Sequence, residues 1–168
     1  MSKKWIPNTL TILSLFAGIG AMLLALSEQW LAAVGLIFGA AMFDSLDGRV
    51  ARRLNVANEF GRELDSLADL VSFGVAPATV FYLLLLTDQG WSGALLTTLF
   101  PVCGALRLAR FNVANVKNYY VGVPITVAGP LLAGIALFGR SALPLTVQQI
   151  ILLLLAGLMV STFRVPKL

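Results

Sequence analysis

The sequence predicts an all-α membrane domain built from six transmembrane helices, with both termini cytoplasmic. Three observations carry that expectation. Hydrophobic residues make up 58% of the 168 positions and charged residues only 12%, far from the balance of a soluble globular chain. The apolar residues gather into charge-free runs close to the roughly 20 residues that a spanning helix needs. The basic residues then fall almost entirely on one side of those runs. The length is too short for two ordinary domains, so residues 1–168 read as a single membrane domain.

Each element follows in order. The first helix fits Asn8 to Leu26. Met1-Ser2-Lys3-Lys4 resembles the start of a signal peptide, but no small-residue cleavage site follows the apolar run, so an uncleaved span is expected. The second helix starts near Trp30 and runs into a charged stretch at Asp44, projecting past the bilayer core. The third starts before Asp65 and ends near Leu86, and the fourth runs from about Trp91 to Arg110. The fifth covers Val123 to Phe138 and the sixth Val147 to Thr162. Pro77, Pro124 and Pro130 are expected to kink their helices. Gly35-Leu-Ile-Phe-Gly39 is a close-packing motif that either marks a dimer contact or, as its position away from the Asp44 face favours, packs within the bundle.

With six spans, the N-terminus, the second and fourth connections and the C-terminus lie on one side. They hold eleven of the twelve basic residues, among them Lys3, Lys4, Arg49, Lys117, Arg164 and Lys167. The other side holds only Arg140, with Glu28 and Asp88. The positive-inside rule therefore places both termini in the cytoplasm, Trp30 and Trp91 at the outer interface, and Trp5, Tyr119 and Tyr120 at the inner one.

Composition excludes several chemistries. There is no histidine, which removes Ser-His-Asp and Cys-His sites and histidine-rich metal sites. The single cysteine, Cys103, excludes an internal disulfide and a thiolate zinc cluster, and reads as a small packing residue. The net charge of +4 does not imply nucleic acid, because the basic residues flank apolar helices. An anionic membrane surface is the better partner.

Four carboxylates stand out against this background. Asp44 and Asp47 are three apart and Asp65 and Asp69 four apart, so a helix puts each pair on one face. Ionised groups within a membrane segment cost about 2.5–3.5 kcal/mol each on insertion scales. Two antiparallel helices joined by the Arg53 to Glu59 connection would bring the pairs together as an oxygen-rich cage. Oxygen donors suit Mg²⁺ or Mn²⁺, with Ca²⁺ as a competitor, and an open cage has room for two ions. Gly48, Ala51 and Gly61 leave space beside the acids, and Arg52 is placed to meet phosphate charge. Arg53, Arg62 and Glu63 read as snorkelling residues at helix ends. Arg107 and Arg110, three apart at the inner end of the fourth helix, either bind an acceptor's carboxylate together with Asn112 or serve only topology. Asn8 and Thr11 share a face of the first helix. They either close a nucleotide site, or Asn8 caps the helix.

The pattern Asp44-x-x-Asp47-Gly48-x-x-Ala51-Arg52, then after eight residues Gly61-x-x-x-Asp65-x-x-x-Asp69, resembles the signature of the CDP-alcohol phosphotransferases. All eight fixed positions agree. Ile6-Pro7-Asn8-Thr9-Leu10-Thr11 resembles the family's first-helix entry. The segments from Glu63 to Pro77, from Arg107 to Asn112 and from Gly122 to Pro124 resemble the branch whose acceptor is L-serine. Ser66 and Leu70 stand where the glycerol-phosphate branch usually carries proline and lysine. Val123-Pro124-Ile125 departs from the Leu-Pro-x-Pro of many relatives and lacks its second proline.

The resemblance implies a reaction in which CDP-diacylglycerol gives its phosphatidyl group to the hydroxyl of L-serine and releases CMP. Asp44, Asp47 and Asp65 would be metal ligands, and Asp69 a ligand and the general base. Gly48, Ala51, Arg52 and Gly61 would line the CDP-diacylglycerol site, joined by Asn8 and Thr11. It also implies a homodimer and an integral protein of a prokaryotic cell membrane, with its active site facing the cytoplasm. Two alternatives stand beside it: the same chemistry with inositol phosphate or glycerol phosphate as acceptor, and a divalent-cation transporter.

Overall fold

The computed structural model describes residues 5–54, 58–114, 119–161 and 164–166. Lys3, Lys4, Lys117, Thr162 and Lys167, on which parts of the topology argument rest, lie outside them. The first hairpin is α1 (Trp5–Leu26) and α2 (Trp30–Leu54). It turns at Glu28, whose φ is 60°, and the amides of Glu28 and Gln29 bond back to the carbonyls of Ala25 (3.0 Å) and Leu24 (2.9 Å). Those bonds satisfy carbonyls that the end of α1 would otherwise leave bare. α2 continues ten residues past Asp44, as its polar end suggested.

Asn58 opens α3 (Glu59–Asp69) by accepting the Gly61 amide at 2.7 Å, with Glu59 adding negative charge in the first turn. The chain then passes through a π turn (Leu70–Val75), α4 (Ala76–Phe81) and a second π turn (Tyr82–Leu86). Pro77 has no amide hydrogen, so a regular α ladder cannot run through this stretch. The Ala76 amide reaches back five residues to the Val71 carbonyl instead.

A 3₁₀ turn (Thr87–Gln89) leads to Gly90, whose φ of 55° favours glycine, and to α5 (Gly90–Ala114). The helical run Glu59–Val113 holds 55 residues, about 80 Å if straight. That is more than twice a hydrocarbon core of about 30 Å. The turn at Gly90 doubles it, and α5 packs back on the two π turns and α4.

α6 (Ile125–Gly139) and α7 (Leu145–Val160) complete the bundle. α1, α2 and the Glu59–Val113 run are long and apolar enough to cross a membrane, whereas α6 and α7 are apolar but shorter. The bundle is all-helical as expected, and one short strand pairing accompanies it. β1 (Tyr119–Val121) and β2 (Arg164–Pro166) pair antiparallel, with Tyr120 opposite Val165. Three-residue strands carry no periodicity that a sequence reading can register.

Phe73 of the first π turn is fully buried, and Phe81, Phe100, Leu132 and Leu152 join it in the core. Phe16, Leu23, Leu31, Trp91, Phe138 and Leu154 face outward, an apolar exterior suited to lipid. Two packing expectations fail. Pro124 precedes α6 in an extended conformation (φ −60°, ψ 137°), so it starts that helix rather than kinking it. Gly35 and Gly39 have nothing within 4 Å of an added Cβ, so the motif faces out of the bundle rather than into it.

Candidate active site

α1 packs against both α2 and α3, and the acids converge beside it. One carboxylate oxygen from each of Asp44, Asp47 and Asp65 lies within 4.8 Å of the others. The side chains of Asp44 and Asp69 are in hydrogen-bond contact, which brings the fourth acid to the same cluster. Asp69 meets Asp44, Asp65 lies close to Asp44 and Asp47, and Gly61 lines the same cavity as Gly48 and Ala51. Carboxylates crowded this closely repel one another unless a proton or a cation lies between them. The donor set is all oxygen, and its spacing suits a small hard divalent ion after slight closure. The residues present therefore fit a divalent metal.

Beyond the acids opens a cavity of about 440 Å³. Asp47 and Asp65 line it together with Gly48, Ala51, Gly61, Asn8, Thr11, Pro7, Asn58, Glu59 and Arg62. An added Cβ on Gly48 would meet nothing within 4 Å, so this glycine leaves open space for a ligand. Gly61 has a different reason to be small: Asn8 Oδ1 lies 3.1 Å from where its Cβ would stand.

Asn8 does not cap α1. The helix begins at Trp5, and Asn8 is a buried residue of its first turns facing α3. Thr11 is buried too and donates its hydroxyl to Asp47 Oδ2 at 2.8 Å. Ser14 continues this polar face, its hydroxyl donating to the Ala40 carbonyl of α2 at 3.1 Å. Ser72, three residues past Asp69, donates to the Ser14 carbonyl at 3.0 Å. A buried hydroxyl next to a carbonyl removes the cost of leaving either unpaired in an apolar bundle.

The other site candidates separate. Arg52 is exposed on α2 and outside the cavity lining. Arg62, which looked like a snorkelling residue, lines the cavity. Its spacing three before Asp65 puts both on one helix face, and that signal was available in the sequence. Asn58 was also missed, because a cap is legible only once the helix start is known. Arg107 is half-buried on α5. Arg110 is exposed and donates to the Val160 carbonyl at 3.0 Å, at the C-terminus of α7. Asn112 of α5 donates to Ser66 Oγ at 3.1 Å and reaches Glu63 at 3.5 Å, so it packs against α3 next to Asp65 and outside the cavity lining.

A membrane-type helical bundle with converging aspartates over an open cleft defines a class: an integral membrane protein with an acidic, divalent-metal-type site. The CDP-alcohol phosphatidyltransferase family model matches residues 4–162, and the chain belongs to that family. Several curated relatives are named CDP-diacylglycerol–serine O-phosphatidyltransferase. The protein of Mycobacterium leprae is 44% identical over 140 residues, covering 77% of this chain and 46% of the relative. That of Methanocaldococcus jannaschii is 40% identical over 162 residues, covering 96% of this chain and 74% of the relative. That of Helicobacter pylori is 39% identical over 169 residues, covering 96% and 71%. The chain thus spans about half the length of the mycobacterial relative and nearly three quarters of the other two.

Proposed function

We infer that this chain transfers the phosphatidyl group of CDP-diacylglycerol to the hydroxyl of L-serine, giving phosphatidylserine and CMP. The observation that carries the reading is the convergence of Asp44, Asp47 and Asp65 beside a glycine-lined cavity, in a chain 38–44% identical to relatives named for this activity. Mg²⁺ or Mn²⁺, as two ions, is the proposed cofactor, held by Asp44, Asp47, Asp65 and Asp69. When bound, the ions neutralise the pyrophosphate and stabilise CMP as it leaves.

The chain's own groups do the rest. Gly48, Ala51, Gly61 and Asn8 line the space for the CDP headgroup, and Arg52, exposed on α2 beside Ala51, is the proposed partner of its phosphate charge. The serine oxygen forms a bond to the phosphorus that carries diacylglycerol. The bond from that phosphorus to the CMP oxygen breaks, and CMP leaves with the electron pair. Asp69 takes the hydroxyl proton, since a chain without histidine offers a carboxylate as its nearest base. Arg107, half-buried on α5, is the proposed partner of the serine carboxylate, with Asn112 positioned against Ser66 nearby. Arg110, exposed and with its guanidinium at the α7 terminus, is the second candidate.

Six spans with both termini and the site on the cytoplasmic side of a prokaryotic membrane complete the proposal, supported by the distribution of basic residues. The homodimer implied by the family resemblance has an open face available at Gly35 and Gly39. The decisive experiment is CMP release from CDP-diacylglycerol by the purified chain with serine, inositol phosphate or glycerol phosphate. Release with serine alone is expected. Preference for either phosphate would move the acceptor and keep the chemistry, and no release with any acceptor would remove the proposal.

A further inference from the structure

We propose that Thr11 is a positioning residue for the metal site: its hydroxyl holds Asp47 in the orientation that binds the cation, and it does not serve as a contact to CDP-diacylglycerol. The inference rests on the proposed metal-dependent reading. Thr11 has one hydroxyl proton to give and two acceptors in reach, Asp47 Oδ2 at 2.8 Å and the Pro7 carbonyl at 3.2 Å. The carboxylate is nearer and carries charge, and charge-assisted bonds are roughly twice as strong as neutral ones. The proton is therefore committed to Asp47, and one carboxylate oxygen remains free of that bond.

Asp47 is buried, 6% exposed, so a fixed protein donor such as Thr11 can set its orientation. The donor is itself fixed from both sides. Three residues before it, Asn8 is wedged against Gly61 of α3. Three residues after it, Ser14 is tied to Ala40 of α2 and receives Ser72. α1 thus presents one buried polar stripe that references the helix bearing Asp44 and Asp47 to the helix bearing Asp65 and Asp69. A hydrogen bond to a ligating carboxylate from a fixed neighbour sets the ligand's direction and typically changes metal affinity by about 10–100-fold when removed.

The test is Mn²⁺ binding to the purified full-length chain without substrates, read from the free-ion electron paramagnetic resonance signal. Thr11→Val keeps the side-chain shape and removes the donor, while Thr11→Ser keeps the donor. Thr11→Ala serves as the second donor-free variant should valine disturb the fold. The expected result is Mn²⁺ binding weakened about 10–100-fold in the donor-free variants and restored by serine. At saturating metal, the KM for CDP-diacylglycerol should stay at the wild-type value. Wild-type Mn²⁺ affinity in a folded donor-free variant would overturn the inference and leave the metal reading intact. So would equal weakening by Thr11→Ser, or a raised KM for CDP-diacylglycerol at unchanged Mn²⁺ affinity. Absence of Mn²⁺ binding by the wild type would overturn the metal reading itself, and this inference with it.

Discussion

Gly129 of α6 faces the carbonyl oxygen of Phe73 so closely that any side-chain carbon on Gly129 would overlap it. Phe73 lies in the π turn that follows Asp69, and its ring fills the centre of the core. The approach of α6 therefore supports the helix segment that carries the third and fourth acids. Gly129→Ala is expected to force the two backbones apart, since the obstacle is a carbonyl and not a flexible side chain. Overpacking of this kind costs about 1–3 kcal/mol. A thermal-unfolding measurement in detergent should show a clear fall in Tm, and an unchanged Tm would contradict the packing.

Gly48→Ala should behave in the opposite way. Nothing lies within 4 Å of the added methyl, so the fold has no reason to lose stability. The methyl would instead enter the cavity that Gly48 lines. Unchanged Tm with a raised KM for CDP-diacylglycerol is the expected pair of results. A fall in Tm with normal kinetics would mean that this glycine serves the fold.

These two glycines also mark how far the sequence could be read. Gly48 was interpretable because it follows Asp47 in a pattern whose spacing fixes a helix face. Gly129 was not, because its partner is the Phe73 carbonyl, 56 positions away in the sequence. The helices themselves were legible, since hydropathy reports burial in lipid directly and α1, α2 and the helical run from Glu59 fall close to the expected limits. Proline roles were less so: Pro77 sits beside a π turn, Pro124 precedes a helix, and Pro101 lies inside α5 without having been singled out. Local sequence gives the residue but not the tertiary partners that decide how the chain absorbs it.

Metal dependence follows from the acid cluster. Asp44→Ala and Asp65→Ala each remove one of three oxygens that lie within 4.8 Å of one another. Each variant should lose activity to the detection limit. Chelation of the wild type should do the same, and added Mg²⁺ or Mn²⁺ should restore it. Full CMP release in excess chelator would eliminate metal-dependent catalysis.

Asp69 has a different expected signature. The amide of Asp69→Asn keeps the size of the side chain and its contact with Asp44, but cannot accept the hydroxyl proton. Turnover should fall by about 10²–10⁴-fold, the usual contribution of a positioned base. The KM for CDP-diacylglycerol should change far less. Near-normal kcat in folded Asp69→Asn protein would move the proton to another acceptor.

The acceptor's carboxylate needs a cation, and α5 offers two that the structure distinguishes. Arg110 is exposed and its guanidinium donates to the Val160 carbonyl at 3.0 Å, one of the unpaired carbonyls at the C-terminus of α7. Positive charge is favourable there, so Arg110 has a sufficient structural role. Arg107 lies almost one turn earlier on α5 and is half-buried. Arg107→Ala should therefore raise the KM for serine much more than the KM for CDP-diacylglycerol. A charge-assisted contact of about 1.5–3 kcal/mol corresponds to roughly ten- to a hundredfold in affinity. Arg110→Ala should lower Tm modestly and leave the serine KM close to wild type. If Arg107→Ala leaves the serine KM unchanged while Arg110→Ala raises it, the two assignments exchange. If neither variant alters it, both arginines serve the fold and the membrane interface, and the serine carboxylate is held elsewhere.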